Sequence, residues 1–189
     1  MAGDARTGRR CTARSRRRER PTGREAWKRN RLIELGFGVP DWLRLVPVDF
    51  EASESWSEQL VAAGFDSRLP AVVVSTGVTM YLTKDATAAT LRQLAGLAAG
   101  STLAMDVPSV DRTSRRRRSL RASESGARAA GTPFISFYTP QEMMTLAREA
   151  GFDGGVQHVA GTSLAERYFA GRSDGLRPSS GEDLLVATT

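Results

Sequence analysis

Two segments of this sequence place polar residues directly after apolar runs, which could build a ligand site. Residues 46–51 read as a short buried strand whose end carries a carboxylate, Asp49, and residues 71–75 form a second apolar run that leads into the small polar segment 75–77. The carboxyl ends of parallel strands meet at one edge of a sheet, and ligands bind in the crevice beyond that edge. A carboxylate only accepts hydrogen bonds, so it selects a donor group on the ligand. We therefore predict a binding crevice around Asp49 and residues 75–77.

Alternating apolar patterns predict the elements that position these segments. Strands are expected at 43–50, 71–75, 102–107, 156–159 and 184–187, and helices at 24–35, 55–63, 85–98, 140–150 and 163–170. Such alternation predicts an α/β fold with a doubly wound, mainly parallel sheet, in which one of the last two strands could run antiparallel. Thr139, Pro140 and Glu142 have the spacing of a helix start with a capping box. Residues 109–131 break the alternation and are expected to form a partly helical excursion over the crevice.

The positive charge of the chain is concentrated at its beginning. The chain of 189 residues has a formal net charge of +6, and residues 1–23 account for all of it, with eight arginines against Asp4 and Glu19. This head has almost no apolar residue beyond alanine, so it cannot offset the entropy of ordering and is predicted to be disordered. Residues 24–189 are predicted to form the folded domain. The head lacks the apolar centre of a secretory signal, although its composition would suit a transit peptide.

The composition narrows the possible compartments and the possible metal sites. Cys11 is the only cysteine and His158 the only histidine, so the chain can form neither an internal disulfide nor a two-histidine metal site. We therefore expect no metal, and a reducing cytoplasm is the default location. No apolar run approaches the roughly 20 residues that span a bilayer, so no membrane association is expected.

Six separated motifs, in order along the chain, resemble one family of enzymes. They are WKR at 27–29, VPVDFE at 46–51, AGFD at 63–66, GVTMYL at 77–82, FISFYTP at 134–140 and GLRP at 175–178. Together they resemble the S-adenosylmethionine-dependent methyltransferases of the leucine carboxyl methyltransferase-like group, which is abundant in actinobacteria. The resemblance covers roughly residues 24–189. It implies a class I methyltransferase (Rossmann-like) fold and transfer of a methyl group from S-adenosylmethionine, to an oxygen of a small molecule or carboxylate.

The resemblance also implies roles for individual residues. Asp49 would accept a hydrogen bond from the adenine amino group, and Phe50 would offer its backbone N–H and its ring to the adenine. A second group of residues, Ser75, Thr76 and Gly77, would line the methionine end of the cofactor. Tyr81 would face the substrate. Each has an ordinary alternative: a helix cap or a loop carboxylate for Asp49, a turn for residues 75–77, and a core aromatic with its hydroxyl at the surface for Tyr81.

The first strands of the family and its glycine-rich turn have no counterpart before residue 27. The arginine-rich head occupies that part of the chain, and Glu19 is the only acid at which the family's ribose contact could fall. The abrupt change of composition near residue 24 predicts an N-terminally incomplete member of the family, with a head read from a wrong frame. Loss of these strands is expected to expose a sheet edge beside residues 45–48, which would favour self-association.

Three further features invite other interpretations. The arginine run 115–118 could hold an acidic group but is more typical of a solvated face. His158 is the only histidine that could act as a general base, and a structural role is the simpler interpretation. A non-catalytic remnant of the family and a nucleic-acid-binding protein remain alternatives for the whole chain. We do not expect nucleic-acid binding, because the basic head contains no interleaved aromatic residues.

Overall fold

A computed structural model describes residues 23–52, 55–108, 114–176 and 182–189 of the chain. The chain divides into two units, Met1–Pro47 and Val48–Thr189. Most of the arginine-rich head, with Glu19, lies outside the described residues. The predicted disorder of the head and the predicted boundary between residues 23 and 24 therefore stay predictions.

The described part of the first unit contains one helix. Helix α1 spans Arg24–Glu34, as predicted, and is followed by Gly36 and Gly38 with φ angles of 79° and 65°. Such positive angles suit glycine because it has no Cβ, so the two glycines turn the chain away from the helix axis.

The second unit holds the sheet and the remaining helices. Its strands are β1 (Val72–Ser75), β2 (Thr102–Pro108), β3 (Gly155–Val159) and β4 (Glu182–Thr188). Its α-helices are α2 (Trp56–Ala62), α3 (Lys84–Ala95), α4 (Ser114–Ala129), α5 (Pro140–Ala150) and α6 (Gly161–Phe169), and a single 3₁₀ turn covers Thr79–Tyr81. From β1 onward these elements confirm the predicted strand–helix alternation, and the excursion after β2 is helical from Ser114.

Helices α3 and α5 begin at side chains that cap free backbone N–H groups. Thr139 Oγ1 accepts from the N–H of Glu142 at 3.2 Å, and Glu142 accepts from the N–H of Thr139 at 2.6 Å. This is the predicted capping box at the start of α5. Helix α3 has a similar cap, because Thr83 Oγ1 accepts from the N–H of Ala86 at 3.1 Å. It ends at Ala95, three residues earlier than predicted, with Gly96 as its C-cap.

The four strands form one mixed sheet in the order β1-β2-β4-β3. Strands β1 and β2 are parallel, whereas β4 runs antiparallel to both of its neighbours, β2 and β3. The carboxyl ends of β1, β2 and β3 therefore lie at the same edge as the beginning of β4. We call this the carboxyl edge.

The predicted strand at residues 43–50 is wrong. Residues 43–49 have no regular secondary structure and Phe50 lies in a turn. The apolar run resembled a buried strand, but a strand also needs a neighbour to bond with, and Pro47 supplies no backbone N–H. Asp49 consequently lies in a loop and does not end a strand.

The exposed edge of the described sheet also differs from our expectation. Among the described strands β1 and β3 are both edge strands, and the apolar edge is that of β1, which pairs on one side only, with β2. Val72 and Val74 are 80% and 66% exposed, respectively. An open apolar edge strand is a site at which another strand can add. Self-association through a sheet edge stays a prediction, and the edge in question is β1, not residues 45–48.

The core of the second unit lies between the sheet and helices α2, α3 and α5. Leu103, Met105 and Val107 alternate along β2, so their side chains share one face of the sheet. The other buried members of this core are Trp56, Leu91, Leu94, Tyr138, Met143, Ala147, Phe152, Leu185 and Ala187.

Candidate cofactor site at the carboxyl edge

Asp49 and Phe50 occupy a loop that leaves hydrogen-bonding groups free. Asp49 Oδ1 accepts from the N–H of Glu51 at 3.0 Å, and among the described residues Asp49 Oδ2 has no partner. The Phe50 N–H also makes no hydrogen bond with a described residue, while the Phe50 ring meets the Trp56 ring edge-on at a centroid distance of 6.2 Å. One acceptor and one donor are therefore free on adjacent residues, beside a ring that is fixed by its packing.

Glu51 fixes this loop to the beginning of α3. Its carboxylate accepts from the N–H of Thr83 at 2.7 Å and from the Thr83 hydroxyl at 3.0 Å. Thr83 follows the 3₁₀ turn that comes after β1, so Glu51 ties residues 49–51 to the segment that leaves the carboxyl edge. Glu51 was not predicted to have a role; its signal in the sequence was a second carboxylate, directly after Phe50.

We expect Glu51→Ala to loosen this loop without unfolding the protein. The variant loses two acceptor contacts at an exposed position, which corresponds to about 1 kcal/mol of unfolding free energy. Amide hydrogen exchange should become faster at Thr83. Chemical denaturation and exchange of Glu166→Ala, which removes an exposed carboxylate in α6, provide the control and should show no such change. Unaltered exchange at Thr83 in Glu51→Ala would contradict the role of this contact.

The second predicted segment follows β1 and is tied to β2. Ser75 is half-buried, whereas Thr76 and Gly77 are exposed. Both carboxylate oxygens of Asp106, near the end of β2, accept from the Gly77 N–H, at 3.0 and 2.8 Å. No hydrogen bond or ring contact joins residues 75–77 directly to Asp49 or Phe50 among the described residues. The structure thus gives the two predicted parts of the site separate anchors, Asp106 for one and Glu51 for the other.

Asp106 was missed by the sequence analysis, although it is a polar residue at the end of an apolar strand, as Ser75 is. It is only 6% exposed, and burial raises its pKa above the ordinary 3.8, with the Gly77 N–H opposing that shift. The folded chain therefore holds this proton to a higher pH than the unfolded chain does. Taken alone, the group contributes stability below about pH 3.8 that is lost as the pH rises through the raised pKa.

Tyr81 lies at the surface and not in the core. It is 41% exposed, and its ring meets the Phe134 ring edge-on at a centroid distance of 5.4 Å. Phe134 in turn contacts the Phe137 ring at 6.4 Å. The segment that carries these rings is fixed to the 3₁₀ turn, because the Ile135 N–H donates to the Met80 carbonyl at 2.8 Å. The result is a partly exposed aromatic cluster that joins the segment after residues 75–77 to the segment before α5.

His158 is held by a buried carboxylate. Its Nε2 lies 3.0 Å from Asp183 Oδ2, and Asp183 Oδ1 accepts from the N–H of Gly161 at 2.9 Å. Asp183 is 2% exposed. These bonds connect β3, β4 and the start of α6, which is the arrangement expected for the structural role considered above.

The remaining predicted features are not placed by the structure. Glu19 and the side chains of the arginine run 115–118 lie outside the described residues. In the described part of the chain, no three side chains of histidine, cysteine, aspartate or glutamate come together as a metal site. No described helix is both long enough and apolar enough to cross a membrane.

Sequence comparisons find the same family that the motifs suggested. A family model described as leucine carboxyl methyltransferase matches residues 24–95. Two curated proteins, from Mycolicibacterium paratuberculosis and Mycobacterium avium, have names that place them among the S-adenosyl-L-methionine-dependent methyltransferases. Each is 29% identical to this chain over an alignment of 163 positions, which covers 79% of the chain and 51% of the relative. The chain therefore spans about half the length of the curated relatives that it matches.

Solved structures agree on the fold. A DUF574 family protein from Streptomyces avermitilis is 17% identical, with a TM-score of 0.51 over 75% of this chain and 53% of that protein. The S-adenosylmethionine-dependent methyltransferase SibL is 16% identical, with a TM-score of 0.50 over 86% of this chain and 39% of SibL. The described sheet thus has a class I methyltransferase fold. Together with the family match over residues 24–95, it confirms the resemblance of this chain to the leucine carboxyl methyltransferase family of S-adenosylmethionine-dependent enzymes.

Proposed function

We propose that this chain binds S-adenosylmethionine and transfers its methyl group to an oxygen of a small molecule. The observation that supports this most directly is the free acceptor of Asp49 beside the free N–H of Phe50, on a loop that Glu51 anchors. The family match over residues 24–95 includes this loop. The exposed segment 75–77 would take the methionine end of the cofactor.

The free groups of the loop are complementary to adenine. Adenine carries an amino donor beside a ring-nitrogen acceptor. Asp49 Oδ2 is an acceptor and the Phe50 N–H is a donor, so the pair offers the matching order, and the Phe50 ring could contact the face of the base. Segment 75–77 offers fewer free groups that could form hydrogen bonds with the cofactor. The Gly77 N–H is already bonded to Asp106, which leaves Ser75 and Thr76 to make polar contacts.

Methyl transfer requires the protein mainly to bind the two reactants and to align them. When bound, S-adenosylmethionine supplies a methyl carbon that its positive sulfonium activates. A carboxylate acceptor arrives ionised and needs no base, so the residues of the chain have only to hold donor and acceptor in line. We therefore favour a carboxylate, or another oxygen that ionises readily, as the acceptor. Tyr81 is proposed to contact the substrate, because its exposed ring follows segment 75–77.

Calorimetric titration with S-adenosylhomocysteine tests the cofactor site. The wild-type chain should bind, and Asp49→Ala should weaken binding by tenfold or more, about the value of one hydrogen bond to a charged group. Asp153→Ala is the matched control. It removes an exposed carboxylate just before β3, at the opposite edge of the sheet, and should bind as the wild type does.

Two results would contradict the proposal. A folded wild-type chain without affinity for S-adenosylhomocysteine would favour the non-catalytic alternative. Equal affinities of Asp49→Ala and Asp153→Ala would place any binding away from the 49–51 loop. Methyl transfer itself is tested by the formation of S-adenosylhomocysteine from S-adenosylmethionine in the presence of a panel of small carboxylates and phenols.

A further inference from the structure

Asp106 is a buried carboxylate that neither the motifs nor the proposed cofactor contacts explain. It lies on β2 next to the end of β1 and is paired in register with Leu184 of β4. The Asp106 backbone is also engaged, because its carbonyl accepts from the Thr79 hydroxyl at 3.1 Å, and Thr79 is 1% exposed. Asp106 therefore contacts the segment after β1 twice, once before the 3₁₀ turn and once within it.

The contact between Asp106 and the Gly77 N–H uses an ionisable side chain where a neutral acceptor would be enough. Two carboxylate oxygens converge on a single backbone N–H. A serine, an asparagine or a water could satisfy one N–H without burying an ionisable group, and burying a carboxylate is costly. A charge-assisted hydrogen bond is stronger than a neutral one, so the carboxylate holds this N–H more firmly than those substitutes would.

A strong hydrogen bond to the Gly77 N–H affects the backbone conformation at this position. Its φ angle is +69°, a conformation that glycine enters freely and also leaves freely. A Cβ built on Gly77 meets nothing within 4 Å, so neighbouring atoms do not confine the turn sterically. Among the described residues, the Gly77 N–H is fixed only by Asp106. Ser75 is paired with Met105 of β2, so within segment 75–77 it is the turn at Gly77 whose conformation depends on this carboxylate.

We propose that Asp106 is a positioning residue, which holds segment 75–77 in the conformation that receives the methionine end of the cofactor. This inference rests on the proposed function. Asp106 acts through the Gly77 N–H and the Thr79 hydroxyl and does not itself contact the ligand. It fixes the backbone of this segment before the cofactor binds. The entropy cost of ordering the turn therefore does not weaken the binding.

Two variants of the full chain test this role. Asp106→Asn keeps an oxygen that can accept from Gly77, whereas Asp106→Ala removes the acceptor. We expect Asp106→Ala to weaken the binding of S-adenosylhomocysteine by tenfold or more and Asp106→Asn to restore a large part of that loss. Amide exchange measured by NMR should become faster at Gly77 in Asp106→Ala, while the amides of Leu103 and Met105 on β2 stay protected. A purely structural role would instead expose the β2 amides together with Gly77.

The outcomes separate this inference from the proposed function. A folded wild-type chain that does not bind S-adenosylhomocysteine overturns both. A wild-type chain that binds, with Asp106→Ala binding equally well or with Gly77 exchange unchanged, overturns only the positioning role of Asp106. If Asp106→Ala does not fold, the comparison of Asp106→Asn with the wild type decides. Since a neutral amide oxygen holds the Gly77 N–H less firmly than a carboxylate does, weaker binding together with faster Gly77 exchange in Asp106→Asn then supports the positioning role, and a wild-type value of either overturns it.

Discussion

Leu91→Ala should lower the free energy of unfolding by about 3 kcal/mol, which for a chain of this size corresponds to a loss of roughly 6–12 °C in Tm. Leu91 lies in α3 with no exposed surface and belongs to the core that packs against β2 and α5. Truncation removes the transfer free energy of three carbons and leaves a cavity among side chains that can only partly close it. Urea denaturation followed by circular dichroism measures the effect.

Leu69→Ala is the matched control for this substitution. Leu69 is an exposed leucine in the loop before β1, so the same chemical change removes little buried area. Its effect on the free energy of unfolding should stay within about 0.5 kcal/mol. Equal losses for Leu69→Ala and Leu91→Ala would mean that α3 does not pack on the sheet as described.

Gly154→Ala should destabilise the protein by about 2 kcal/mol, within the range of overpacked sites. A Cβ at Gly154 would lie 2.9 Å from the Thr188 carbonyl oxygen and 3.1 Å from that of Thr189. Both are backbone atoms, and the Gly154 N–H also donates to the Thr188 carbonyl at 3.0 Å. The methyl group cannot be accommodated by a rotamer change, so the start of β3 must move away from β4.

The control for Gly154→Ala is Gly171→Ala. A Cβ at Gly171 meets nothing within 4 Å, so this variant should be neutral or slightly stabilised. Thermal unfolding followed by circular dichroism compares the two. If both variants melt at the same temperature, the close approach of Gly154 to β4 does not exist in solution.

Local sequence signals predicted most of the helices and strands but not the partners of the strands. Thr139, Pro140 and Glu142 lie within one helical turn, so the start of α5 is encoded locally and was predicted. The run at 43–50 had the composition of a strand but no neighbour, and strand formation depends on a neighbour that a local pattern cannot reveal. The antiparallel direction of β4 was open for the same reason, because its pairing joins residues about 80 positions apart in the chain.

For the candidate site as well, local signals predicted some residues but not the residues that anchor them. The motif resemblance pointed to Asp49, Phe50 and residues 75–77, all of which lie on loops or strand ends of the described structure. The two carboxylates that anchor these segments, Glu51 and Asp106, were not predicted as site residues. Their roles follow from contacts with Thr83 and Gly77, about 30 residues away in each case, and such contacts leave no local pattern.

The position of β4 has a consequence for the order in which the chain can fold during synthesis. Of the described strands, β4 comes last in the sequence and yet lies between β2 and β3. Until residues 182–188 have left the ribosome, β3 lacks its one neighbour among the described strands, and the side of β2 that pairs with β4 is open to other nascent chains. The sheet therefore cannot close as translation proceeds, and domains whose strands pair late expose apolar surface for longer. We therefore expect the yield of soluble protein to vary with chaperone supply and growth temperature. This variation should be larger than the stability of the folded protein alone would predict.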